Sequence, residues 1–200
     1  MNVILLCLLV AGDVPDAPPE SDIWIDEDSG AIKVPFETNG YTFFQGEDGE
    51  GGGLPLEAFL KLVAVKGNRR TILHRTTSLR SYVKLKNGNE ALAFVRLFTD
   101  ENSHYLFKDS LGIEIRHVPS ALSAFVKNAT MSTSRFKELG LFDPRVRKTA
   151  NGSFVIERFI LTPKREIVQT EETVESDGRY TATIIKRLGK DARMNFPRYE

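Results

Sequence analysis

The chain has 200 residues, 27 basic and 27 acidic side chains, 41% hydrophobic residues and a single cysteine, Cys7. That length buries one good core and admits at most two small domains. A lone thiol excludes an internal disulfide framework and a multi-thiolate metal centre. The balanced total hides an asymmetry. Residues 1–57 carry twelve acids against one base, Lys33, and residues 58–200 carry 26 bases against 15 acids, so the two parts stand at −11 and +11. The stretch from Ala58 to Asn89 has no acid and eight bases.

The chain opens on an apolar run from Val3 to Ala11, closed by Gly12. A membrane-spanning helix needs roughly 20 apolar residues, so this run is too short to cross. Its length and its small residues at the end fit the apolar region and cleavage site of a secretory signal. No Lys or Arg precedes it, which keeps two alternatives open: a buried N-terminal strand and an uncleaved anchor. Large residues before Cys7 argue against lipid attachment there. Asp13 to Ser21 contains Pro15, Pro18 and Pro19 and reads as an acidic tether. The expected organisation is a signal at 1–12, a tether at 13–21 and one α+β domain over 22–200, free of cysteine once the signal is cleaved near Gly12. The sequons at Asn128 and Asn151 are read as chance in a bacterial exported chain.

Ile23–Ile25 and Ala31–Val34 flank a polar turn and predict a hairpin. A further strand is expected at Tyr41–Gln45, followed by the flexible run Gly46–Gly53. Pro55 and the spacing of Leu56, Phe59, Leu60 and Val63 predict a helix ending at Gly67. Ser81–Lys86 alternates, with Val83 and Leu85 on one face. Asn87-Gly88 then predicts a turn into a central strand at Ala91–Phe98. Shorter strands are expected at His104–Phe107 and Gly112–Val118. A second helical patch runs from Pro119 to Val126 and a third from Ser134 to Leu139, closed by Gly140 with Leu141 placed for a Schellman contact. Phe154–Leu161, Glu166–Val174 and Tyr180–Ile185 are expected strands, with Asp177-Gly178 turning the last two. The predicted class is α+β: a mostly antiparallel sheet with about three helices packed on it.

Sites are sparse. The glycine run at 46–53 lacks the Gly-Lys-Ser/Thr of a phosphate loop, and Glu47, Asp48 and Glu50 would repel an anion. Asp26-x-Asp28-x-Gly30 lacks the fifth-position oxygen ligand and sixth-position glycine of an EF-hand. His74, His104 and His117 share no metal-ligand spacing, and His117 falls in phase with Ile113 and Ile115 as a half-buried structural residue. No serine elbow is present, so no catalytic residue, metal or cofactor is assigned, and the chain leans away from an enzyme.

The remaining feature is the basic stretch. Arg69, Arg70, Arg75, Arg80, Lys84 and Lys86 could hold anionic groups, or the acidic N-terminal part could fold against them and cancel the field. The expected function is a non-enzymatic binding or structural protein of the bacterial periplasm or envelope. Its expected partner is an anionic envelope polymer or another envelope protein. One alternative is cytoplasmic. Ser120–Leu141 reads as helix, turn, helix, and Asp143–Gly152 leads into a strand. In outline, over 120–160, this is similar to a winged helix-turn-helix. The resemblance implies DNA contacts from Arg135 and Lys137, with Arg145, Arg147 and Lys148 on the wing.

Overall fold

The computed structural model describes residues 23–25, 30–48, 61–73, 79–101, 111–118 and 129–191. The proposed signal and tether, the turn at 26–29, most of the glycine run, the strand at His104–Phe107 and the helical patch at Pro119–Val126 lie outside them.

Two sheets carry the fold. The first has four antiparallel strands in chain order: β1 (Ile23–Ile25), β2 (Thr42–Asp48), β3 (Lys61–Lys66) and β4 (Arg69–Ile72). Ile32 adds a single bridge to Phe43. The second sheet contains β5 (Ile113–Val118), β6 (Ala129–Ser132), β7 (Arg145–Lys148), β8 (Phe154–Leu161), β9 (Ile167–Val174) and β10 (Tyr180–Gly189). Its order is β10-β9-β8-β5-β6, with β7 also paired to β8. Every pairing is antiparallel except β5 with β6. Helix α1 (Gly88–Val95) continues into a π-helical turn, Arg96–Glu101, and α2 (Thr133–Glu138) follows β6.

The described residues hold two helices where about three were expected, and two sheets where one was expected. The expected hairpin of Ile23–Ile25 with Ala31–Val34 is replaced by the pairing of β1 with β2, and two further assignments are corrected. Lys61–Lys66 is a strand, because Leu62, Val63, Ala64 and Val65 form an apolar run rather than a stripe. Leu62 and Ala64 enter the main core, while Val63 packs with Phe44, Val65 and Ile72 on the other face. A strand covered on both sides reads as such a run. Gly67, at φ 59°, turns the chain into β4 instead of capping a helix.

Ala91–Phe98, expected as a central strand, is mostly helical. Asn87 is an N-cap whose side chain accepts from the Glu90 amide at 3.0 Å, and Glu90 accepts from the Lys86 amide at 2.8 Å. This closes a capping-box-like start. Ala91, Phe94, Val95 and Phe98, at i, i+3, i+4 and i+7, are the buried face. Ser81–Lys86 keeps its alternation, with Val83 and Leu85 buried, but it forms only one bridge, Lys84 to Glu37.

One core joins the two sheets through α1. Phe43, Leu62 and Ala64 reach it from the first sheet, and Phe154, Ile156, Val174 and Tyr180 reach it from the second. Rings of Phe36, Phe43, Phe94 and Phe98 meet edge-on or tilted, with Phe94 and Phe98 centroids 5.0 Å apart. The opposite face of β8, through Phe159 and Leu161, packs with Met131, Phe136 and Leu141 around α2. The α2 terminus follows the expected pattern: Gly140 has φ 67° and Leu141 donates to the Phe136 carbonyl at 3.0 Å.

Candidate functional site

Two clusters of charge stand out, one buried and one exposed. The buried one sits on the core-side face of β8. Arg158 is 1% exposed there, between Glu114 of β5 and Glu172 of β9. Its guanidinium grips Glu172 through Nε at 2.7 Å and Nη2 at 3.1 Å, and Nη1 reaches Glu114 at 3.2 Å. Glu172 also accepts from Thr170 Oγ1 at 2.8 Å and from the Tyr180 hydroxyl at 3.0 Å. Glu114 accepts two further arginines, Arg96 at 2.7–3.2 Å and Arg116 at 3.2 Å. Arg96 is placed by the π-helical turn and Arg116 by its position two residues along β5.

Burial alone would raise the Glu114 carboxyl. The Arg96 hydrogen bonds, with the charges of Arg158, Arg96 and Arg116, outweigh it and hold the group below its usual range. Glu114 is thus held as an ionised acceptor, and the oxygens of Glu172 are taken up by Arg158, Thr170 and Tyr180, so the cluster acts as a cohesive network inside the fold.

The exposed cluster forms where four turns meet. Thr38-Asn39-Gly40-Tyr41 closes with Tyr41 N donating to Thr38 O at 3.0 Å, and both central residues have positive φ, 51° and 81°. That is the pattern of a type I′ turn, which favours Asn-Gly. Leu79-Arg80-Ser81-Tyr82 closes with Tyr82 N on Leu79 O at 2.9 Å, with Ser81 at φ 77°. A positive φ at the third position of a turn normally calls for glycine.

The two turns are tied together: Asn39 Nδ2 donates to Ser81 O at 3.1 Å and to Val83 O at 3.4 Å. Tyr41 and Tyr82 meet at 4.8 Å with planes tilted 53°. Lys66, at the β3–β4 turn, donates to Asn39 O at 3.0 Å and sits 5.0 Å from the Tyr41 ring centroid. From the other side the β9–β10 turn holds the same segment. Leu79 N donates to Gly178 O at 3.3 Å, and Leu85 N donates to Ser176 O at 2.7 Å. Gly178 cannot carry a side chain here, since a Cβ would lie 2.5 Å from Val83 Cγ2.

The basic residues read from the sequence distribute around this knot. Arg69 and Arg70 begin β4. Arg80 is 72% exposed, with Nε 3.5 Å from Asp177. Lys84 and Lys86 flank Glu37: Lys86 Nζ lies 2.8 Å from its Oε2, and Lys84 N donates to Glu37 O at 2.8 Å. The Lys86 hydrogen bond and charge hold Glu37 below the ordinary carboxylate range and raise Lys86 in turn. One acid of the N-terminal part thus does fold against the stretch. Arg75 lies outside the described residues.

Sequence reasoning missed Asn39, Tyr41, Lys66, Ser81 and Tyr82 as a group. The Asn39-Gly40 dipeptide was a usable signal; the φ of Ser81 left none.

The histidines give no centre among the described residues, since His74 and His104 lie outside them. His117 meets the Phe136 ring at 4.8 Å with planes tilted 47° and lies 3.4 Å from Asp143. Of the wing-like segment, β7 and β8 do form a hairpin. Arg135 on the six-residue α2 is engaged by Glu138 and Asp191, Arg147 lies 3.4 Å from Glu171, and Arg145 lies over Phe142 at 3.9 Å. No helix among the described residues is long and apolar enough to cross a membrane. Compared with known proteins, the chain matches no family model, no curated protein and no solved structure.

Proposed function

We propose that this chain is an exported bacterial binding protein of the periplasm or envelope. It is non-enzymatic, and it holds an anionic envelope polymer on the basic surface around the 79–86 segment. The observation that carries the reading is the meeting of Lys66 with the segment bearing Arg80, Lys84 and Lys86, through the Asn39 turn. Through that turn Lys66 is tied to the backbone of the segment that carries the other cations, and an anionic polymer needs several such charges near one another. Export rests on the apolar run before Gly12 and on a chain without cysteine after Cys7.

Two measurements test it. The intact mass of the protein from a soluble envelope fraction is expected to lack about twelve N-terminal residues; full-length protein confined to the cytosol overturns export. Purified protein is expected to bind immobilised heparin and to elute with salt, earlier for the Arg80→Ala, Lys84→Ala double variant. Absence of retention at low salt overturns the binding role.

A further inference from the structure

The same knot has features that a plain cationic patch does not need. Two non-glycine residues with positive φ, Asn39 and Ser81, are hydrogen-bonded to each other, and at Ser81 that conformation is strained for a residue with a side chain. Their effect is to set Tyr41 beside Tyr82 and to fix Lys66 over the first ring. Tyr41, Tyr82 and Asn39 are half-buried, and Lys66 and Ser81 are exposed.

We propose that Asn39, Tyr41, Lys66, Ser81 and Tyr82 form a binding site for one acidic sugar unit of an anionic glycan. This rests on the reading of the chain as a polymer-binding protein and names the ligand class. Both rings pack partly against the main core and Lys66 covers that of Tyr41, so the exposed part of Tyr82 is the apolar surface for the C–H face of a sugar ring. Lys66 supplies the ammonium for a carboxylate, and its bond to Asn39 O places that charge in advance. Single-stranded nucleic acid fits less well. Successive bases need several open, sequence-tolerant stacking platforms, whereas Lys66 covers the Tyr41 ring and leaves one ring, enough for a single sugar unit.

The test compares binding of the full chain to polygalacturonate, to polyacrylate and to a twenty-nucleotide oligothymidine, at matched charge concentration and salt. Polygalacturonate is expected to bind about tenfold more tightly than polyacrylate. Tyr82→Leu, which keeps apolar volume beneath the site, is expected to erase that preference while polyacrylate binding stays. Lys66→Ala, an exposed change, is expected to weaken both. Circular dichroism establishes that each variant is folded. Equal affinity for polyacrylate and polygalacturonate, or tighter binding of the oligothymidine, overturns the glycan assignment and leaves the polymer-binding role standing. No binding to any of the three overturns both.

Discussion

Arg158 and Lys86 are both cations paired to a glutamate at 2.7–2.8 Å, yet their surroundings give them different work. Arg158 and both its carboxylate partners are 1% exposed, and Thr170, Tyr180, Arg96 and Arg116 complete the acceptors' needs. In that dry setting the desolvation cost is already incurred, so each member is held by the others and losing one strands the rest. Lys86 and Glu37 keep 59% and 41% of their side-chain surface in water, where solvent screens the pair. The buried cluster fixes how β5, β8 and β9 sit against α1. The exposed one ties the Glu37 segment to Lys84 and Lys86 at the surface. Equal distances do not mean equal energies.

The sharpest way to break this contrast is to remove the centre of the buried network. Arg158→Ala is expected to cost about 3–5 kcal/mol in denaturant unfolding, because Glu114 and Glu172 lose their shared partner inside the protein. A loss comparable to that of an ordinary surface change would show the network to be dispensable.

Acid probes the same cluster from the carboxylate side. Glu114 has a folded-state pKa below its unfolded value of 4.5, so the unfolded chain takes up the proton first. Its stabilising contribution is full above that value and is lost as pH falls toward and through the folded one. Stability is therefore expected to drop below pH 4.5 with a steeper slope than in Glu114→Gln, as followed by urea midpoints across pH. Identical slopes would place the acid sensitivity elsewhere.

Smaller effects are expected at the exposed cluster. Ser81→Gly relieves a positive φ and is expected to stabilise the fold by about 0.5–1 kcal/mol. A thermal midpoint that falls instead would show that the serine side chain, not its backbone, holds the turn. Lys86→Ala is expected to leave the denaturation midpoint unchanged and to alter only polymer retention. A measurable destabilisation would erase the distinction between the two clusters.

Much of the second sheet was legible beforehand. Phe154–Leu161 is β8 residue for residue, β9 and β10 begin within one residue of expectation, and Asp177-Gly178 lies in their turn. These strands are bounded by strong turn chemistry. Errors fell where one local signal had two meanings. Asn-Gly occurs three times, and two of the three diverge: Asn39-Gly40 makes the primed turn, while Asn87 caps a helix because Glu90 stands three residues on and Ala91, Phe94, Val95 and Phe98 keep helical spacing. In Lys61–Lys66 the helical spacing of Leu60 and Val63 masked a run of four apolar residues. The basic stretch was visible as composition. That Lys66 reaches the Asn39 turn, and that Lys86 is taken by Glu37, was not.

Sequence alone determined the α+β class, the mostly antiparallel strand pairing, the α2 terminus at Gly140 and the contrast between an acidic beginning and a basic middle. These follow from period, turn residues and composition, which act over a few neighbours. Only the tertiary structure decided that Arg158 is buried between Glu114, 44 residues away, and Glu172. It also decided that Asn39 ties a turn 42 residues on to Lys66. Such contacts depend on which strands become neighbours, and pairing between strands is set by the burial of the whole chain rather than by the residues at either end.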